Sequence, residues 1–313
     1  MLPAASPTIY VLSGPTAVGK TELALRWAET FNAEIISCDS LLFYRGMDIG
    51  TAKPTRDDLR RVPHHLIDIC DITERMDVTR FVTQARAAVV EIFGREKRVL
   101  VTGGSGFYLK SFFAPVADDI EIDATLRAQI ADRLATGGLD VLVDELRQLN
   151  PGGIGALDTA NPRRVVRALE RCRASGMTLA ELGEAFAKQK SAFAEWRTEF
   201  TLLQRDPEDL AARVSQRVDA MLDAGLIDEV RTLVAAGLKE NPSASRAIGY
   251  RETIAMLEGA LEPARLAQSI VQNTQALVKK QRTWFRTQVK AQRILDSATA
   301  TAADLFNTEM NEA

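Results

Sequence analysis

An α/β fold, with a parallel sheet and a helical insertion, is predicted by three observations on this chain. Apolar runs of strand length alternate with helix-length amphipathic segments through about residue 115, the pattern of strands joined by crossover helices. The first such run, Ile9–Leu12, enters a glycine-bearing turn that leads straight into a helical stretch. Beyond Pro115 the strand signal stops and helical spacing takes over.

In chain order, strands are expected at Ile9–Leu12, Ala33–Ser37, His65–Asp68 and Val99–Thr102, with helices near Thr21–Phe31 and Val78–Phe93. The insertion carries helical spacing at Asp123–Thr136, Val141–Leu149 and Pro162–Ser175, separated by the turn signals Gly137-Gly138 and Asn150-Pro151-Gly152-Gly153. Asn161-Pro162 reads as a helix cap and first helical residue. Glu199–Gln204 is expected to return the chain to the sheet. It precedes a long helix with Leu210, Val214, Val218 and Met221 on one face and Arg213 and Arg217 on another. The last helix is expected from Pro263 to Arg293, followed by a small, polar and acidic tail, Ser297–Ala313, expected to fray. The division is therefore a core of residues 1–117 and 197–313 around an insertion of 118–196.

Composition places few limits on this picture. A chain of 313 residues, 46% hydrophobic, 26% charged and 6% aromatic, suits a soluble globular enzyme with one sizeable core and a second lobe. Cys38, Cys70 and Cys172 are scattered, so neither a disulfide framework nor a zinc site is indicated. The N-terminus lacks a basic leader and no run approaches the ~18 apolar residues of a membrane span. A cytoplasmic monomer without membrane contact is the simplest expectation. The net charge of −3 argues against nucleic acid only until its distribution is considered, because Pro263 to Leu295 holds no acid at all.

The turn Gly14-Pro15-Thr16-Ala17-Val18-Gly19-Lys20-Thr21 is a phosphate-binding loop in the strand-to-helix context its mechanism needs, which makes the core P-loop NTPase-like. Glycines let the backbone aim several N–H groups at one anion, and the following helix adds the positive end of its dipole. Lys20 would reach the outer phosphate and Thr21 would hold magnesium. Asp39 follows the second strand, at the sheet edge where such folds bind ligands; a proton acceptor and a helix N-cap are both open readings. The fourth strand ends in Thr102 and Gly103-Gly104-Ser105-Gly106, where an ordinary ATPase often places an acid for magnesium, which weakens a motor-type reading. Ser105 could donate to a phosphate or a substrate, or belong to a plain glycine turn.

Two cationic stripes stand out. Arg163, Arg164, Arg167 and Arg171 recur at helical spacing, as do Lys279, Arg282, Arg286, Lys290 and Arg293. Each alone could be a solvated face; two in an acidic protein favour a polyanion. Trp284 is open to a core or a base-stacking reading, and the adjacent His64 and His65 read as structural.

These residues resemble the bacterial tRNA dimethylallyltransferases, also called tRNA isopentenyltransferases, nearly end to end. The resemblance rests on GPTAVGKT at Gly14–Thr21, DSLLFYRGMDIGTAKP at Asp39–Pro54 and PHHLID at Pro63–Asp68. It continues through GGSGFYLK at Gly103–Lys110, NPRRVVRALE at Asn161–Glu170, RAIGYRE at Arg246–Glu252 and KKQRTWFR at Lys279–Arg286. It implies transfer of a dimethylallyl group from dimethylallyl diphosphate to N6 of the adenine 3′ of a tRNA anticodon. The loop, Gly14 through Thr21, would then hold diphosphate rather than ATP, with Mg2+ at Thr21.

By the same resemblance Asp39 is the general base or anchor for the amino group, Thr16 contacts the prenyl diphosphate, and Arg213 or Arg217 clamps it. The implied tRNA contacts are Asp39, Ser40, Leu41 and Leu42; Ser105 and Arg127; Arg163, Arg164, Val165, Val166 and Arg167. They continue with Arg246, Ala247, Ile248, Gly249, Tyr250 and Arg251, then Lys279, Lys280, Gln281, Arg282, Thr283, Trp284, Phe285 and Arg286. The family's usual GGTGLY departs here to GGSGFY, which keeps a hydroxyl at Ser105 and places Phe107 for leucine. The competing readings are a small-molecule P-loop kinase, an adenylate isopentenyltransferase and a nucleotide-gated RNA-binding module.

Overall fold

The structure is a computed structural model that describes residues 7–118 and 120–307. The first six residues and the last six of the expected tail, 308–313, lie outside the described residues. Among those described, strands β1 (Thr8–Ser13), β2 (Ala33–Ser37), β3 (His64–His65), β4 (Arg98–Gly103), β5 (Arg197–Gln204) and β6 (Arg293–Asp296) form one sheet. Its order is β3-β2-β4-β1-β5-β6, and every neighbour pair is parallel. Helices α1 (Lys20–Thr30), α2 (Arg56–Arg61), α3 (Val78–Gly94) and α4 (Gly106–Lys110) fall in the first half of the core. The insertion holds α5 (Ala124–Leu149), α6 (Pro162–Ser175) and α7 (Leu179–Lys188). After β5 come α8 (Pro207–Asp223), α9 (Leu226–Ala235), α10 (Pro242–Ser245), α11 (Tyr250–Leu257) and α12 (Leu266–Gln288).

Two compact units result, one running to Val116 and resuming at Ser191, the other spanning Ala117–Lys190. Residues 191–196, expected in the insertion, belong to the first unit because Phe193 is fully buried there and stacks on Phe112 at 4.2 Å. In that unit the sheet is covered on both faces. Ile9, Val11, Ile36, Val99 and Val101 face a core with α3, α9 and α12, while Leu12, Ile35 and Leu100 pack with α1 and α8. This two-sided burial is why the strands read as continuous apolar runs. On α8 the expected Leu210, Val214, Val218 and Met221 are the buried residues.

The second unit has its own core, in which Leu142, Leu146, Val165 and Leu169 pack between α5 and α6. Asn161 caps α6 by accepting the Arg164 N–H, Pro162 opens it, and Gly176 closes it at φ 70°. The helices expected on either side of Gly137-Gly138 run together as α5, with the break confined to Gly138 at φ 77° and ψ −178°.

Three expectations need correction. The third strand is shorter than His65–Asp68, since Leu66 and Asp68 take φ of 62° and 54° and leave the extended region. The last helix stops at Gln288, and Arg293 lies in β6, so Lys290 and Arg293 do not continue the α12 stripe. Arg293 instead donates to the Asp304 carbonyl and pairs with Asn307. The tail is not frayed through Asn307: Leu305 and Phe306 are buried, and Phe306 meets Trp27 and Tyr10 at ring distances of 5.1 and 5.0 Å. Burying a phenylalanine contributes about 1.5–3 kcal/mol, enough to hold a short segment. No helix among the described residues is long and apolar enough to cross a membrane.

Candidate active site

The carboxyl ends of four parallel strands converge on one region. β1 runs into the loop Gly14–Thr21, β2 into Asp39, β4 into the glycine turn and β5 into Arg205. In open parallel sheets ligands bind at this edge, where the chain leaves neighbouring strands in different directions.

The loop's glycines are dictated by close approach. A Cβ at Gly14 would lie 2.6 Å from the Leu203 carbonyl, and Gly19 caps α1 at φ 106°. Ala17 also takes a left-handed φ of 62°. Lys20 Nζ donates to the Gly14 and Pro15 carbonyls at 2.9 Å each. Burial pushes the Lys20 ammonium down to about 8, with Asp39 pulling it up and Arg217 pushing it further down. The Thr16 N–H donates to Gln281 Oε1 at 2.9 Å, and Gln281 Nε2 donates to the Gly104 carbonyl at 3.0 Å.

The glycine turn after β4 is shaped by what presses on it. A Cβ at Gly103 would meet the Cys38 carbonyl at 2.1 Å, and one at Gly106 would enter the Trp284 ring at 2.5 Å. Trp284 therefore lies directly over Gly106 and is partly exposed, beside the buried Phe285 on α12. Ser105 Oγ accepts the Ser40 N–H at 2.9 Å, tying this turn to the segment after β2. Asp39 is half-buried and accepts the Leu41 N–H at 3.1 Å. No helix begins there, so the bond is a local turn rather than a helix cap.

Two cavities meet here. The larger, about 590 Å³, is lined by Ser40, Leu41, Ser105, Phe107, Arg246, Ala247, Ile248, Lys280, Gln281, Trp284 and Phe285. The smaller, about 460 Å³, is lined by Ala17, Gly19, Thr21, Leu42, Ser37, Thr102 and Arg213. Thr16, Lys20, Asp39, Thr51 and Arg217 line both. The two arginines separate at this junction. Arg213 Nε donates to the Ala17 carbonyl at 2.9 Å and lines only the smaller cavity, whereas Arg217 donates to the Thr51 carbonyl at 3.0 Å. Burial lowers the Arg217 pKa, opposed by the Asp39 carboxylate.

Residues outside the expected set, which line neither cavity, hold the segments that do. Glu229 accepts the N–H groups of Asp48, Ile49 and Gly50 and the Tyr250 hydroxyl. Lys53, almost wholly buried, ion-pairs with Asp48 and Asp68 and donates to the Tyr44 carbonyl. Arg205 bonds Asp209 and Ser297 and comes within 3.9 Å of a Cβ placed at Gly19. Thr51 and Lys53 sit in a motif the sequence displays, but nothing local signals Glu229 or Arg205.

Other expected RNA-contacting residues lie elsewhere. In the core unit Lys279, Arg282, Thr283 and Arg286 are exposed on α12 and do not line either cavity, and Arg251 pairs with Glu252. The Gly249 N–H is spent on Glu252, while Tyr250 and Phe285 are buried. In the insertion unit Arg127, Arg163, Arg164 and Arg167 are exposed, Val166 is partly so, and Val165 is fully buried. Tyr250 and Val165 line neither cavity, whereas Phe285 reaches the larger one from its buried position. Arg164, Arg167 and Arg171 pair with Asp158, Glu170 and Asp118, which partly neutralises the first stripe. His64 and His65 are tied to the Val62 carbonyl and the Glu34 carboxylate, both at 2.7 Å.

A profile of the IPP transferase family matches residues 42–288. The chain is 63% identical over 292 residues to the tRNA dimethylallyltransferase of Opitutus terrae, covering 93% of this chain and 94% of that one. It is 40% identical to the tRNA dimethylallyltransferase of Deinococcus radiodurans, with 92% of each covered. Among solved structures, a tRNA delta(2)-isopentenylpyrophosphate transferase from Staphylococcus epidermidis superposes with a TM-score of 0.67 at 29% identity, covering 95% of each chain. A eukaryotic dimethylallyltransferase described as acting on tRNA superposes with a TM-score of 0.82 at 27% identity, covering 93% of this chain and 74% of that one.

Proposed function

The chain belongs to the IPP transferase family, and from that membership and its paired cavities we propose how it works as a tRNA dimethylallyltransferase. It transfers a dimethylallyl group from dimethylallyl diphosphate to N6 of the adenine 3′ of a tRNA anticodon. The observation that carries this reading is the junction of two cavities at Thr16, Lys20, Asp39, Thr51 and Arg217. A phosphate loop opens on one side and an aromatic and basic wall on the other, with a single carboxylate between them.

In this reading the diphosphate sits in the smaller cavity, against the loop's N–H groups, Lys20 and Arg213. The adenine, extruded from its stack, enters the larger cavity beside Trp284 and Phe107. Attack of N6 on the allylic carbon breaks that carbon's bond to the bridging oxygen, and diphosphate leaves with the bonding pair. Lys20, Arg213 and Arg217 stabilise the charge that develops on it, the contribution that most lowers such barriers. The proton lost from nitrogen goes to Asp39. Because an aromatic amine is a weak nucleophile, holding it in line with the leaving oxygen contributes heavily.

Magnesium fits the residues present. Thr21 lines the smaller cavity with Asp39, Ser37 and Thr102, and the buried Ser37 Oγ and Thr102 Oγ1 have no hydrogen-bond partner among the described residues. An all-oxygen donor set suits a hard cation. Thr21 would hold the ion and Asp39 would face it, and the ion supplies charge neutralisation to the departing diphosphate. Among the described residues no group of three or more His, Cys, Asp or Glu makes a protein-only metal cage, which suits an ion that shares its ligands with the substrate.

The exposed cations of α12 and α6 contact tRNA phosphates, and the enzyme works as a cytoplasmic monomer. The test is to incubate the protein and magnesium with an anticodon stem-loop and either dimethylallyl diphosphate or ATP, then weigh the RNA. Gain of one five-carbon unit with diphosphate release, from the first donor only, supports the reading. No gain in RNA mass, with ATP consumed once a small-molecule acceptor is supplied, contradicts it in favour of a kinase.

A further inference from the structure

We infer that Gln281 is a latch on the phosphate loop, released when RNA docks on α12, so that RNA and diphosphate binding reinforce each other. The inference rests on the preceding reading that the loop holds diphosphate and that α12 meets tRNA. Both ends of the Gln281 carboxamide are used: Oε1 accepts the Thr16 N–H at 2.9 Å and Nε2 donates to the Gly104 carbonyl at 3.0 Å. One side chain of α12 thereby bridges the turns after β1 and β4. Gly104 admits the contact, since a Cβ there would lie 2.9 Å from Nε2.

Two donors that a diphosphate requires are consequently turned inward. The Thr16 N–H is held by Gln281, and Lys20 Nζ is folded onto the Gly14 and Pro15 carbonyls. A main-chain N–H offers one hydrogen, so an anion that takes it must displace the Gln281 carbonyl. The displacement carries a cost that an empty loop would not impose. Gln281 lies on the stretch of α12 that also carries exposed Lys279, Lys280 and Arg282, and Lys280 and Trp284 share its cavity. RNA drawn to those cations and to Trp284 competes for the same side chain. Once RNA holds the amide, the Thr16 N–H is free for phosphate. By linkage, diphosphate must tighten RNA binding by the same factor.

A brace and a latch differ in sign. If Gln281 merely braces the loop, its removal weakens diphosphate binding. If it is a latch, removal strengthens it.

The experiment measures the affinity of the full chain for inorganic diphosphate, with and without an anticodon stem-loop RNA, by calorimetry. For the wild type, RNA is expected to tighten diphosphate by about fivefold or more, the lower bound of ordinary coupling. Gln281→Ala is expected to bind diphosphate without RNA as tightly as the wild type does with it, and to gain nothing further from RNA. A wild type indifferent to RNA, a variant that keeps the wild-type ratio, or a variant that binds diphosphate more weakly overturns the latch. A second measurement needs no variant: the Thr16 amide resonance of 15N-labelled wild type is expected to move when RNA alone is added, and a stationary resonance overturns the proposal. A wild type that binds neither probe overturns the reading beneath it, and the latch falls with it.

Discussion

Tyr250 donates its hydroxyl to the Glu229 carboxylate at 2.6 Å, directly beside Gly50, where a Cβ would lie 2.5 Å from the tyrosine ring. The same carboxylate accepts the backbone N–H groups of Asp48, Ile49 and Gly50, which fixes the segment ending at Thr51. Burial, then Glu229, pushes the Tyr250 hydroxyl far above its ordinary pKa, so it remains a donor at any working pH. Thr51 in turn receives Arg217 at the cavity junction. Glu229→Ala should therefore leave three N–H groups and one hydroxyl without their acceptor and lower stability by about 2–4 kcal/mol. Thermal unfolding measures the loss. Gly50→Ala should also lose turnover because fully buried Tyr250 has nowhere to move; a variant with unchanged kcat would show that this wall does not shape the site.

The two arginines of α8 should separate in binding and turnover. Arg213 touches the phosphate loop itself, so Arg213→Ala should weaken inorganic diphosphate by about 10–100-fold, the range for a lost charge-assisted hydrogen bond. Arg217 stands between the cavities, and Arg217→Ala should lower kcat more than it lowers diphosphate affinity. Calorimetry and steady-state kinetics on both variants decide the assignment, and the opposite pattern would exchange their roles.

Lys20 gives a pH dependence with a defined sign. Burial depresses its folded pKa to about 8 from an ordinary 10.5. Between those values the unfolded chain holds the proton and the free folded protein does not, so burying the charge opposes stability in full below about pH 8, and the penalty shrinks as pH rises from there and is gone above the ordinary 10.5. Diphosphate prefers the ammonium, so at pH 9 its binding should take up close to one proton. Its affinity should fall about tenfold per pH unit above 8. Titrations in two buffers of different ionisation enthalpy read the proton directly, and Lys20→Met should abolish the uptake.

The exposed cations of α12 make an electrostatic prediction. Lys279→Ala combined with Arg286→Ala should reduce the salt slope of tRNA binding by about 1.4–1.8, two contacts at about 0.7–0.9 each. An unchanged slope would remove this helix from the phosphate contacts.

Much of this was legible in the chain because its signals are local. The run Ile9–Leu12, the loop glycines and the buried stripe Leu210, Val214, Val218, Met221 each state their structure within a few residues, and so does the cap Asn161. What escaped depends on closure over long separations. Glu229 meets Gly50 across 179 residues, and Gln281 meets Thr16 across 265. Neither partner carries a pattern that announces the other. β6 was hidden because its four residues begin soon after a cationic helix, and Lys290 and Arg293 continue that helix's apparent spacing. Phe306 was hidden because a single aromatic in a polar tail gives no period, although Trp27 and Tyr10 bury it.

The most direct test of the account is a single-turnover measurement of prenyl transfer by Asp39→Asn with saturating tRNA stem-loop and dimethylallyl diphosphate, alongside the separate affinities for each. The junction of the two cavities predicts a rate constant lower by about 10²–10⁴-fold, the usual contribution of a positioned base, with both affinities within about threefold of wild type. Equal losses in rate and in affinity would contradict it, because Asp39 would then hold substrate rather than receive its proton.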